Sequence, residues 1–110
     1  MEVTYPMEGV SLGINCYRAI LAQVNCLEAV WPEPSTLKEI YEELTELSFY
    51  MLEQDSFGIS QGIDQILTTL EEIKVTRPSD GQPIEIRMIV SELETHLEFL
   101  RREYTQFIPR

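Results

Sequence analysis

Apolar positions recur along the chain with a helical period in four blocks, separated by short polar or proline-containing breaks. The last block is the most regular. Ile86, Val90, Leu93, Leu97, Leu100, Tyr104 and Phe107 alternate spacings of four and three, a heptad seam of the kind that packs in left-handed bundles. Pro83 suits the first helical position and Pro109 ends the run, so the spacing predicts a helix over 83–107. Glu85 near its start and Arg101 and Arg102 near its end complement the helix dipole. Glu98 and Arg102 are expected to pair across one turn.

Two further blocks have the same pattern. Leu37, Ile40, Leu44, Leu47 and Met51 predict a helix over 36–54, with Thr36 and Glu39 spaced as a capping box. Ile59, Ile63, Ile66, Leu70 and Ile73 predict a helix over 58–76, with Leu67 widening the stripe and Gly62 weakening it by up to ~1 kcal/mol relative to alanine. Asp55-Ser56-Phe57-Gly58 and Thr76 to Gly81 are turn signals.

The first block, 10–31, is different. It carries only Arg18 and Glu28 as charges, and its apolar residues form two series. Val10, Ile14, Tyr17, Leu21, Val24 and Trp31 line one side. Cys16, Ala19 with Ile20, Gln23, Cys26 with Leu27, and Val30 line another. A helix apolar on two sides is usually buried on two sides. One stripe is therefore expected to face the protein's own core and the other a second copy of the chain, with Cys16, Ala19, Gln23, Cys26 and Val30 as the dimer interface. Residues 1–8 read as a lead-in ending near Gly9, with Ser11 or a neighbour as the cap. Pro32-Glu33-Pro34 stops the helix.

Four helices joined by short breaks imply antiparallel neighbours. The expectation is an all-α fold: one domain, 1–110, an up-down-up-down four-helix bundle that dimerises. At 110 residues the chain is long enough for one core.

Charge narrows the partners. Nineteen acids against eight bases give a formal charge of −11. Such a surface repels nucleic acid and anionic membranes and favours a basic protein partner. No apolar run is long enough for a membrane span. Met1 to Pro6 is acidic where a secretory leader would be basic. Two cysteines, ten apart and about 80° apart around a helix, are unsuited to bridging each other. A reducing cytoplasm is the expected compartment.

The acids concentrate on the second block. Glu39, Glu42, Glu43, Glu46 and Glu53 lie away from its seam, and Phe49 falls in the row Glu42, Glu46, Phe49, Glu53, with Tyr50 beside it. An aromatic ringed by carboxylates is how an anchor for a basic partner is built. Glu42, Glu46, Phe49, Tyr50 and Glu53 are the expected partner-binding residues. Met88 and Phe99 of the last block also fall off its seam.

Catalytic chemistry has little support. One histidine, His96, and two cysteines give neither a zinc site nor a nucleophilic triad, and a di-iron motif fails because Leu93, not a glutamate, precedes His96 by three. Glycine-rich phosphate loops and basic patches are absent. Catalytic residues, metal ligands and cofactors are therefore expected to be none.

One motif resembles an enzyme. Glu42, Glu43 and Glu46 resemble the double-glutamate motif of all-helical nucleotide pyrophosphohydrolases of the MazG type. Gln61 and Asp64 stand where that family carries a second acidic pair. The resemblance implies magnesium-dependent hydrolysis of nucleoside triphosphates, but Gln61 replaces a charged ligand, which would weaken magnesium binding.

The leading expectation is a non-enzymatic, acidic helical interaction module that binds a basic protein partner and acts as a homodimer. Alternatives are an inhibitor of the immunity, antitoxin or nucleic-acid-mimic kind that blocks a basic cleft, a divergent MazG-type hydrolase, and a structural subunit of a larger assembly.

Overall fold

A computed structural model of the chain describes residues 5–31, 33–76 and 84–104. It is all-α, with α1 at Tyr5–Val30, α2 at Pro34–Leu52, α3 at Ser56–Thr76 and α4 at Ile84–Phe99, the last continuing as a π-helical turn at Leu100–Tyr104. No strand occurs among the described residues.

Side-chain links between helices give the antiparallel register. Along α1 and α4, Cys16 meets the carbonyl of His96 at 3.3 Å, and Gln23 donates to Glu92 at 2.7 Å. Along α1 and α2, the Tyr17 hydroxyl donates to the Leu44 carbonyl at 2.8 Å and the Tyr41 hydroxyl to Asn25 at 2.6 Å. Along α2 and α3, Gly62 lies against Leu47 and Thr69 meets Glu39 and Glu43. Lys74 of α3 pairs with Glu94 of α4 at 2.6 Å, and Asp64 with Arg101. In each pair the numbers run in opposite directions, so the four helices form an antiparallel bundle. The closest packing is α2 on α3 and α1 on α4.

The core follows the heptad seams. Leu37, Ile40, Leu44 and Leu47 of α2 are buried, as are the five isoleucine and leucine seam positions of α3, and Ile86, Val90, Leu93, Leu97, Leu100 and Tyr104 of the last helix. Burying an aliphatic side chain of this size contributes roughly 1.5–3 kcal/mol. Met51 and Leu67 lie half-buried at the edge.

α1 departs from the two-stripe expectation. Its buried row is Cys16, Ile20, Val24, Leu27 and Trp31, drawn from both series. The core runs along the middle of the wide apolar surface, because α1 lies between α4 on one flank and α2 on the other. Ile14 is left 43% exposed, and Tyr17, Leu21 and Val30 are half-buried. Cys16 belongs to the protomer's own core, which corrects its assignment to an intermolecular surface.

Several helix ends also differ from expectation. α1 begins at Tyr5, not near residue 10; Pro6 is accommodated because a first-turn amide has no partner within the helix. α2 begins at Pro34, with Glu33 as N-cap and no side-chain cap bond. The Thr36–Glu39 capping box is not formed, since Glu39 turns to Thr69 of α3. α2 ends in a Schellman arrangement. Gln54 takes a left-handed conformation (φ 56°), its amide donates to Met51, and the Asp55 amide donates to Tyr50. Asp55 then caps α3, its carboxylate accepting from the Gly58 amide at 3.0 Å.

Helix four is not α-helical throughout. From Leu100 it widens to a π turn in which Leu100 and Tyr104 are both buried and Arg101 faces Asp64 and Glu98. The carboxylate of Glu98 is thus held by Arg101, not by Arg102 as expected, and Arg102 meets Glu103 at 3.1 Å. Pro83, the turn after Thr76, Phe107 and Pro109 lie outside the described residues, as do the side chains of Val10 and Ser11.

Candidate functional site

The seam between α2 and α3 opens along one edge into an acidic cleft of about 480 Å³. Glu39, Glu42, Glu43 and Glu46 line it from α2, and Gln65, Thr68, Thr69 and Glu72 from α3. Spacings of three and four residues on each helix place these groups on the facing edges. Among the described residues none of the five carboxylates makes an ion pair.

Glu43 is the centre of the cleft. It is half-buried, and both its carboxylate oxygens lie 3.0 Å from the hydroxyl of Thr69. Among the described residues, Thr69 is the polar side chain that is buried, 2% exposed. Burial pushes the Glu43 carboxyl up from an ordinary 4.5 to about 7, helped by the charges of Glu39, Glu72 and Glu46, while the hydrogen bond from Thr69 acts the other way. A helix periodicity that treats every glutamate as outward-facing misses this residue. The signal that could have found it is the pairing of Glu43 with Thr69, a polar position on the inner edge of an otherwise apolar α3.

The residues expected to bind a partner are only partly brought together. Glu42 and Glu46 are exposed at the cleft mouth. Phe49 is 59% exposed and continues their row along α2. Tyr50 is half-buried and packs toward α3, where its ring lies against Gly58. Glu53 is exposed at the end of α2 and serves as its C-cap. Phe49 and Tyr50 point in directions about 100° apart, so they do not form one aromatic anchor.

The expected dimer residues Ala19, Gln23, Cys26 and Val30 lie along one side of α1, at spacings of four, three and four. Cys26 is exposed, Ala19 and Val30 are half-buried, and Gln23 is tied to Glu92. Both cysteines are free thiols. Burial pushes the Cys16 thiol up, which makes it a poor nucleophile. A second apolar surface lies on the opposite flank of α1. There Ile14, Tyr17, Leu21, Met51, Leu52 and Tyr104 surround a groove of about 460 Å³, with Leu52 79% exposed. Gln54, where the chain turns after Leu52, also lines the groove.

The two halves of the MazG-like pattern are parted by the fold. Glu42, Glu43 and Glu46 share the cleft, but Gln61 is exposed outside its lining and Asp64 is paired with Arg101. Among the described residues, no group of three or more His, Cys, Asp and Glu side chains is arranged to hold a metal ion. Nor is any helix there long and apolar enough to cross a membrane. Comparisons of the chain with protein-family models, with curated proteins and with solved structures found no match.

Proposed function

We propose that the protein is a non-enzymatic, acidic helical interaction module whose α2–α3 cleft docks a basic segment of a protein partner. The observation that carries this reading is the cleft itself: five carboxylates on two helices, without an ion pair among the described residues. Arginine or lysine side chains entering the cleft would replace mutual repulsion with charge-assisted hydrogen bonds. The exposed ring of Phe49, further along the same row, supplies an apolar contact next to the charges. An inhibitor that blocks a basic cleft would use the same surface, and a second copy of the chain would add to it through the outer flanks of α1. Two free thiols suit a reducing, cytoplasmic setting.

The test uses a lysine- and arginine-rich peptide as probe. Binding should weaken with added salt, and Glu42→Lys with Glu46→Lys should abolish it while the helical signal persists. Binding indifferent to salt and to both reversals would refute the reading. For the dimer, light scattering should give twice the 12.8 kDa chain mass; a monomer at high concentration would remove that part. The MazG-type reading is favoured by one observation, the gathering of Glu42, Glu43 and Glu46 in one cleft. It requires magnesium-dependent pyrophosphate release from nucleoside triphosphates, and no release from any of the common ones would close it.

A further inference from the structure

We infer that Glu39, Thr69 and Glu43 form a proton-binding cluster, which in the folded free protein holds one proton on the Glu43 carboxyl, fastens α2 to α3 and sets the charge of the cleft. The inference deepens the docking reading by naming the regulation of that site, and it is read in the free protein, so it can fail or hold without any partner.

The case begins with a count of hydrogens. A threonine hydroxyl has one hydrogen to donate. The Thr69 oxygen faces four acceptors: both oxygens of Glu43 at 3.0 Å, Glu39 at 3.2 Å and the Gln65 carbonyl at 3.2 Å. With both glutamates ionised, one hydrogen cannot serve them all, and oxygen lone pairs are set against one another. Thr69 is almost fully buried, so water has little access to its hydroxyl; exposed Glu39 can turn to water, and the unmet demand falls on half-buried Glu43. A proton taken from water resolves it. Protonated Glu43 donates its new O–H to the Thr69 oxygen, and Thr69 donates its own hydrogen to Glu39 or to Gln65. Release reverses the step, returning the proton to water and leaving a carboxylate.

The surroundings favour uptake. Glu39 and Glu46 of α2 and Glu72 of α3 all act on Glu43 with negative charge, Glu42 lies at the mouth, and the other polar lining groups, Gln65 and Thr68, are uncharged. Among the described residues α1 and α4 contribute nothing to the lining. Lys38 lines a different hollow, beside Trp31. The Glu43 carboxyl, raised from 4.5 to about 7, agrees with the geometry.

The sign follows from linkage. A carboxyl whose value is raised on folding contributes stability that is complete below 4.5 and is lost as pH rises through about 7. Acid therefore tightens the α2–α3 seam and partly neutralises the cleft, while alkali loosens the seam and restores full negative charge. A basic partner would expel the proton.

The experiment follows the carboxyl carbon of Glu43 by NMR in the full chain from about pH 4 to about pH 9, assigned through bonds, alongside urea unfolding of three proteins. A Glu43 midpoint near 7 is expected; a midpoint in the ordinary carboxylate range overturns the inference. Between about pH 5 and pH 8 the unfolding constant of the unmodified protein should rise about seventyfold more than that of Glu43→Gln, whose amide can donate to Thr69 at any pH. Glu42→Gln, which removes an equal charge at the mouth, should keep the steep dependence. Equal dependence in the unmodified protein and Glu43→Gln overturns the inference. If Glu43→Gln does not fold, the NMR midpoint decides alone.

Discussion

Two buried glycines test whether the register of the bundle is correct, because alanine should have opposite effects at them. In a helix interior alanine is favoured over glycine by up to about 1 kcal/mol. At Gly13 of α1, an added Cβ would lie 2.5 Å from the ring of Tyr104, with the neighbouring ring atoms at 2.6 and 2.9 Å. The ring is buried in the π turn that follows α4, so it has little room to swing away. Overpacking of this kind costs about 1–3 kcal/mol. Net of the helix gain, Gly13→Ala should destabilise by about 1–2 kcal/mol. At Gly62 of α3, the nearest atom is the Cδ1 methyl of Leu47 at 3.3 Å, and the backbone is 3.8 Å away. A methyl at the end of a flexible side chain can give by a few tenths of an ångström. Gly62→Ala should therefore be neutral or stabilising by up to about 0.5 kcal/mol. At about 4 °C per kcal/mol for a domain of this size, thermal melts followed by circular dichroism should place the two variants roughly 4–10 °C apart. Tyr104→Leu should recover part of the loss in Gly13→Ala. Gly13→Ala melting at or above Gly62→Ala would refute the α1–α4 register on which the reasoning depends.

Three other consequences are open to measurement. Gln54→Gly should raise the unfolding free energy by about 0.5–1 kcal/mol, since glycine adopts the left-handed conformation at the end of α2 without the Cβ penalty; an unchanged or lower denaturation midpoint would contradict the cap geometry. A thiol reagent should modify the exposed Cys26 quickly and the buried Cys16 only after unfolding, so two equally fast thiols in the folded protein would contradict the placement of Cys16. Lys74→Met should cost less than about 1 kcal/mol even though its ammonium lies 2.6 Å from Glu94, because the pair is partly solvated. A loss of several kcal/mol in chemical denaturation would show that the α3–α4 seam depends on it.

The parts of the fold legible in the sequence were those where one period decided the outcome. Helices two, three and four each carry one seam, a residue on a seam has one direction to face, and the structure buries those seams. α1 was harder because its apolar surface is wider than a seam. Periodicity put Val24 on one stripe and Ile20 and Leu27 on another, and did not show that the axis of burial falls between the two. That axis depends on how α4 and α2 sit against α1. Helix ends were misplaced for a related reason. Thr36 and Glu39 have the spacing of a capping box, yet Thr69 competes for Glu39 from another helix, and a contact thirty residues away leaves no local mark.

The cleft shows the same limit at the level of chemistry. A row of glutamates on an outer face reads as a uniform charged surface, and for Glu42 and Glu46, exposed at the mouth, it largely is one. Glu43 is one residue further around the helix, about 100°. That rotation carries it from solvent to the edge of α3, where it meets a buried hydroxyl and three other acids. What separates the two kinds of glutamate is therefore not residue type or local spacing but the angle at which α3 closes on α2. A protein that needed only a solubilising surface would gain nothing from turning one carboxylate inward against its neighbours, since the turn costs desolvation and repulsion at once. The inward glutamate is thus the feature of this chain that plain solubility accounts for least, and proton uptake on Glu43 is a way for the folded protein to offset that cost.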